Sequence, residues 1–172
     1  MNIHPIFVHF PIAFLTLYSF LELARFKVLS QRPFVFYMKA SLVILGAGAA
    51  WVTRLTGQLA AELVKDDIYI RPILQMHKNF SFLTAVIFST LAFGYLILWL
   101  NRENVLLNLK QKPIWQKLFK LAGFLADSKL TIGLALLGFI CLTITGGLGG
   151  RMVFGPDADP FIKPVLDWLL GS

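Results

Sequence analysis

Four apolar runs, roughly residues 5–24, 34–53, 79–100 and 130–150, decide what this chain can become. Crossing a hydrocarbon core of about 30 Å takes about 20 residues of α-helix, and each run has that length. Inside lipid no water is available to backbone N–H and C=O groups, so a spanning segment must pair them internally. Composition agrees: 57% of the 172 residues are hydrophobic and the mean hydropathy is +0.71, too apolar for a soluble domain of this size. The expectation is all-α, an integral membrane four-helix bundle with short interfacial helices, with residues 1–172 as a single four-span domain.

A formal charge of +7 would suit a nucleic-acid binder if it were gathered on one soluble face. It is distributed by side of the membrane instead. On the side of the segments between runs one and two and between runs three and four lie ten Lys and Arg, nine in the segments and Lys39 just inside run two: Arg25, Lys27, Arg32, Lys39, Arg102, Lys110, Lys112, Lys117, Lys120 and Lys129. The other side holds six, matched by six acids. Lys and Arg near the spans favour the cytoplasmic side, which sends both termini outside. The basic surplus then reads as orientation and attraction to anionic lipid, so the bilayer is a partner and nucleic acid is not. Cys141 is the single cysteine, which excludes a disulfide framework and, with no Cys-x-x-Cys-His, covalent c-type haem.

The opening stretch, His4-Pro5-Ile6-Phe7-Val8-His9-Phe10-Pro11, puts two histidines and two prolines at the mouth of the first span. Pro5 suits a first helical turn. Pro11 withdraws a helical hydrogen bond, leaves the Phe7 carbonyl without its donor and predicts a kink. His9, Ala13, Thr16 and Phe20 share a face by the helical period. His4 and His9, five residues apart, point about 140° from each other on a straight helix. Glu22 and Arg25 have the spacing of an i,i+3 pair. Gly46, Gly48 and the alanines beside them allow close helix approach. Thr56-Gly57 predicts a break or a bend, with residues 58–76 as an outer connection that has room for a short helix. Residues 113–126 predict a surface helix, with Ile114, Leu118, Leu121 and Leu125 on one stripe and Lys117 and Lys120 opposite. Gly146, Gly147, Gly149 and Gly150 should each weaken the fourth helix by about 1 kcal/mol relative to alanine while removing bulk at one depth. A short helix is expected within residues 160–170.

With this topology His4, His9, His77, Arg54 and Arg151 all fall at the outer ends of the spans. Ionisable groups at membrane depth usually face the bundle interior and mark function. The sharpest reading is haem b between the first and third helices. Its axial ligands would be His9 and His77, or His4 in place of His9. Arg54 and Arg151 would meet the propionates, and Gly146 and Gly147 would make room for the macrocycle. A quinone taking a hydrogen bond from His77 or His9 is a variant. The plainer alternative is no cofactor: histidines solvated at the headgroups, arginines that snorkel, and a chain that serves as a structural subunit of a larger complex. No nucleophile has a base at a readable spacing, so no catalytic residue is assigned.

His4-Pro5 through His9-Phe10-Pro11-Ile12-Ala13 resembles the opening signature of a bacterial four-helix membrane family known as domain of unknown function 2231. Thr56-Gly57, His77 and Gly149-Gly150-Arg151-Met152-Val153-Phe154 are similar to that family's later motifs, and the resemblance covers nearly the whole chain. Where family members continue with a histidine-glycine or valine-rich turn, this chain has Gly155-Pro156-Asp157. The resemblance implies association with Rieske-type iron–sulfur or cytochrome c-like partners. It also makes His4, His9 and His77 the residues to test. The expected function is a membrane redox subunit relaying electrons to or from other membrane or periplasmic redox subunits, without catalysis of its own.

Overall fold

The computed structural model describes residues 4–24, 32–64, 67–105, 107–126 and 128–171. Among them the chain is helical, without strands: α1 (His4–Ala24), α2 (Pro33–Ala61), α3 (Ile70–Arg102), α4 (Leu107–Lys110), α5 (Pro113–Leu125), α6 (Ser128–Phe154) and α7 (Lys163–Leu170). Four of them, α1, α2, α3 and α6, are long and apolar enough to cross a membrane. Around the bundle α1 packs on α2, α2 on α3, α3 on α6, and α6 back on α1.

The spans are longer than the apolar runs alone predict. The Thr56-Gly57 break does not occur: α2 runs on to Ala61 and α3 already starts at Ile70. A helical glycine costs about 1 kcal/mol, whereas interrupting the helix near lipid strands several backbone groups without partners. The same balance carries α6 unbroken through its glycines to Phe154. Between α2 and α3, Asp67 Oδ1 accepts the backbone N–H groups of Tyr69 and Ile70 at 2.8 and 3.1 Å, so the short connection ends on its own cap.

The core lies at the crossing of the four spans. Tyr18 stands edge-on to Phe88 and Tyr95, with ring centroids 6.1 and 5.8 Å apart, and Leu15, Val43 and Leu91 close around them. Two glycines set the helix separations. A Cβ at Gly46 would lie 2.4 Å from Leu15 Cδ2, and one at Gly138 would lie 2.8 Å from Phe88 Cζ. Gly46 therefore serves packing inside this chain and is closed to a docking partner.

The Phe7 carbonyl, released by Pro11, accepts Thr53 Oγ1–H of α2 at 3.0 Å. Arg25, expected to pair with Glu22, lies outside the described residues. Glu22 is met by other elements: Lys39 of α2 at 3.0 Å and the Tyr95 hydroxyl of α3 at 2.9 Å. The surface helix forms as α5, but its packed face is Trp115 and Ala122 against Ile97. The Ile114 and Leu121 stripe stays exposed, as a lipid-facing side must.

Candidate functional site

At the end of the bundle where α1 begins and α2 ends, the residues of four separate sequence motifs meet in pairs. His4 opens α1 and its Nδ1 lies 3.1 Å from Thr56 Oγ1 of α2. That hydroxyl has one proton, which goes to the Thr53 carbonyl at 3.0 Å, so toward the imidazole it accepts and His4 Nδ1 donates. Gly57 is the next residue of α2, and a Cβ there would come within 3.0 Å of His4 Cε1. Glycine lets the ring lie against the helix.

The second pair repeats this chemistry on α3 and α6. His77 Nδ1 lies 3.0 Å from the Thr145 carbonyl, which can only accept, so Nδ1 again carries the proton. Gly149, one turn further along α6, faces the ring: a Cβ there would be 3.5 Å from His77 Cε1. The charges of His4 and Arg54 are both near enough to act on His77, which gathers the two imidazoles and one guanidinium into a single region.

In both rings the hydrogen bond selects the tautomer with hydrogen on Nδ1. In the neutral form the lone pair is then on Nε2. A backbone or hydroxyl acceptor behind one ring nitrogen is the usual support for a histidine that ligates a metal through the other. The same arrangement argues against the quinone variant at His77, because its proton is committed to Thr145.

The other expected residues are placed differently. His9 is exposed on the outward side of α1, beside the exposed Phe10 and Ile12, and its predicted face with Ala13 and Phe20 points away from the bundle. Arg54 Nη1 donates to Ser81 Oγ at 2.7 Å and to the Lys78 carbonyl at 3.0 Å, with its guanidinium over the Phe82 ring at 5.0 Å. It braces α2 against α3 next to His77. Arg151 pairs with Asp167 of α7 at 2.5 Å and ties the C-terminal helix down. Gly147 makes room for the same helix: a Cβ there would sit 2.9 Å from Ile162 Cγ2. Gly146 is exposed and a Cβ there would meet nothing within 4 Å. Two residues along a helix turn it by about 200°, which is why Gly149 faces His77 while Gly147 faces α7. Sequence reasoning named Gly149 among the glycines that remove bulk at one depth and Gly57 as part of a helix interruption, with neither assigned to a histidine. Their role as ring platforms shows only once the helices are paired.

Residues 1–157 match the family described as predicted membrane protein (DUF2231). The chain belongs to that family. No curated protein and no solved structure matches it. The family match and the four apolar helices make it a membrane protein. The DUF2231 match ends shortly after Arg151, so all of α7 lies beyond it. The paired sites His4–Thr56-Gly57 and His77–Gly149 lie wholly within the match. Among the described residues no group of three or more His, Cys, Asp or Glu gathers closely enough to hold a metal ion.

Proposed function

We propose that this protein is a redox subunit of the bacterial inner membrane that holds haem b near its periplasmic face and exchanges electrons with a membrane or periplasmic partner. The observation that carries this reading is the matched pair His4 and His77. Each comes from a different helix, and each Nδ1 faces a neutral oxygen that accepts its hydrogen, which in a neutral ring puts the lone pair on Nε2. His4 rather than His9 would join His77 in holding the haem, because His9 is exposed on the outward side of α1. Haem b, when bound, supplies one-electron chemistry that no side chain here can perform.

The chain's own residues do the rest. Thr56 and the Thr145 carbonyl fix ring orientation and tautomer, and Gly57 and Gly149 let the rings seat against their helices. Arg54 is the cation available to a propionate, with Arg151 committed to Asp167. The ten-to-six division of Lys and Arg supports both termini outside. With Cys141 replaced, a cysteine at Lys112 should label only from the cytoplasm, and labelling from outside would invert the arrangement.

The deciding measurement is the visible spectrum of the purified protein, air-oxidised and then dithionite-reduced. A Soret shift and sharp α and β bands should appear, vanish in His4→Ala and His77→Ala, and persist in His9→Ala. Loss of the bands in His9→Ala with retention in His4→Ala would restore His9 as ligand. A featureless spectrum from protein isolated with its native partners would leave the structural-subunit reading in its place.

A further inference from the structure

The end of the bundle opposite the histidines carries a second, independent site. There α5 lies against the last turns of α3, and between them is a cleft of about 260 Å³ lined by Asn101, Lys110, Trp115, Gln116, Phe119 and Lys120. We propose that this cleft binds the headgroup of an anionic phospholipid, with phosphatidylglycerol as the simplest such lipid.

The cleft lies at headgroup depth by construction. α3 leaves its apolar stretch at Trp99 and Arg102, and α5 exposes Ile114, Leu121 and Phe124 beside it, an apolar rim that only acyl chains would cover. Gly94 allows this close seating, since a Cβ there would stand 3.3 Å from Leu125 Cβ. Trp115 is buried against α3, with its indole N–H directed at Asn101 Oδ1 at 3.5 Å, the amphipathic placement favoured at a membrane interface.

Charge identifies the lipid class. Residues 105–126 contain Lys110, Lys112, Lys117 and Lys120 and no acid. Lys110 is positioned by two neutral oxygens, the Asn101 carbonyl at 2.8 Å and Asn104 Oδ1 at 2.5 Å, so its hydrogen bonds fix the ammonium without cancelling its charge. Of the acids flanking this segment, Glu103 accepts the Tyr37 hydroxyl at 2.5 Å, and Asp127 lies outside the described residues. Two lysines converge on one cleft with amide donors from Asn101 and Gln116 and an aromatic wall. That donor set suits a phosphodiester, and the adjoining apolar rim suits the chains attached to it.

The test is native mass spectrometry of the whole protein, delipidated in detergent and offered phosphatidylglycerol or phosphatidylcholine at equal concentration. Phosphatidylglycerol should be retained preferentially, with affinity falling about five-fold for each lysine removed in Lys120→Gln and in Lys110→Gln/Lys120→Gln. Lys78→Gln, at the other end of the bundle, should retain wild-type binding. Lys120→Glu touches none of the bonds that position Lys110 and should abolish the preference in a folded protein. Equal retention of both lipids, or unchanged retention in Lys120→Glu, would overturn the proposal. So would complete displacement by millimolar inorganic phosphate, which would make the cleft a free-anion site.

Discussion

Glu22 and His77 are both polar groups on apolar helices, at opposite ends of the same bundle, and their surroundings differ in kind. The Glu22 carboxylate is 3% exposed and is met by a cation, Lys39, and by the Tyr95 hydroxyl, so three helices close on one charge that is neutralised within the protein. The His77 ring is oriented by the Thr145 carbonyl, and His4 Nδ1 meets a threonine hydroxyl that is itself anchored to a carbonyl. An ion pair satisfied on the spot belongs to the fold. The two imidazoles are oriented by neutral oxygens, which sets their tautomer, and under the function proposed above Nε2 of each is the atom that would serve the cofactor.

The largest effect expected from this contrast is at Glu22. Glu22→Leu removes one partner of a nearly buried pair and leaves the Lys39 ammonium, 13% exposed, without its carboxylate. Losses of about 3–5 kcal/mol follow such a cut, and unfolding in mixed micelles with increasing SDS should show it. Adding Lys39→Met should recover most of the loss, since a matched apolar pair costs little. His77→Ala should cost much less than Glu22→Leu. If the order were reversed, the histidines would be the structural end.

The next effect, about 1–2 kcal/mol, is expected where Arg151 holds α7 down. Arg151→Gln and Asp167→Asn each break the same bond and should loosen α7 equally, measured as faster amide exchange in residues 163–170. If Arg151 instead serves a bound anionic group, Arg151→Gln will lose that group and Asp167→Asn will not.

Much of the fold was legible in the sequence because membrane spans declare themselves by length alone. The Phe7 carbonyl released by Pro11 was legible too, although its donor, Thr53, was not. Facing is what the sequence hid. A lipid-exposed helix is apolar all round, so the periodicity that tells core from surface in water is nearly silent, and the side of α1 that carries His9 could not be ranked against the side that carries Tyr18. Pairing was hidden for a related reason. Arg25 is the neighbour that spacing offers Glu22, but Lys39 and Tyr95 reach it from other helices. Four motif fragments scattered over 150 residues gave no sign that His4 would meet Gly57 and His77 would meet Gly149.

Those two glycines give a finer comparison within the histidine end. Alanine improves a helix interior by about 1 kcal/mol over glycine, before contacts are counted. At Gly149 the added Cβ would lie 3.5 Å from His77, an ordinary contact, so Gly149→Ala should stabilise by a few tenths to about 1 kcal/mol with the site intact. At Gly57 it would lie 3.0 Å from His4 Cε1, and the ring must give way, away from Thr56. Gly57→Ala should therefore show no net gain in stability and a changed His4 side-chain resonance. Equal behaviour of the two variants would mean that His4 is not seated on α2 as described.

The smallest effect lies outside the membrane, in the turn between α6 and α7. Asp157 and Lys163 form an ion pair there, and the hydrogen bond and charge of Lys163 hold the Asp157 carboxyl below its usual 3.8. The same contact raises Lys163 above its usual 10.5. A depressed carboxyl contributes stability above its unfolded pKa and loses it as pH falls through the lower folded value. A raised ammonium contributes below its unfolded pKa and loses it as pH climbs through the higher folded value. The pair therefore acts between about pH 4 and about pH 10 and fades beyond each limit. Both side chains face solvent, at 80% and 41% exposure, so salt should screen the pair and Asp157→Asn should leave overall stability unchanged at pH 7. Its trace should be local: the Asp157 carboxyl should titrate below an exposed aspartate in low salt and drift back toward it in high salt. A salt-independent titration would mean that the turn itself, through backbone donors, holds the carboxylate, and that α7 is fastened to the bundle by more than Arg151 and the apolar contacts of Ile162 and Leu166.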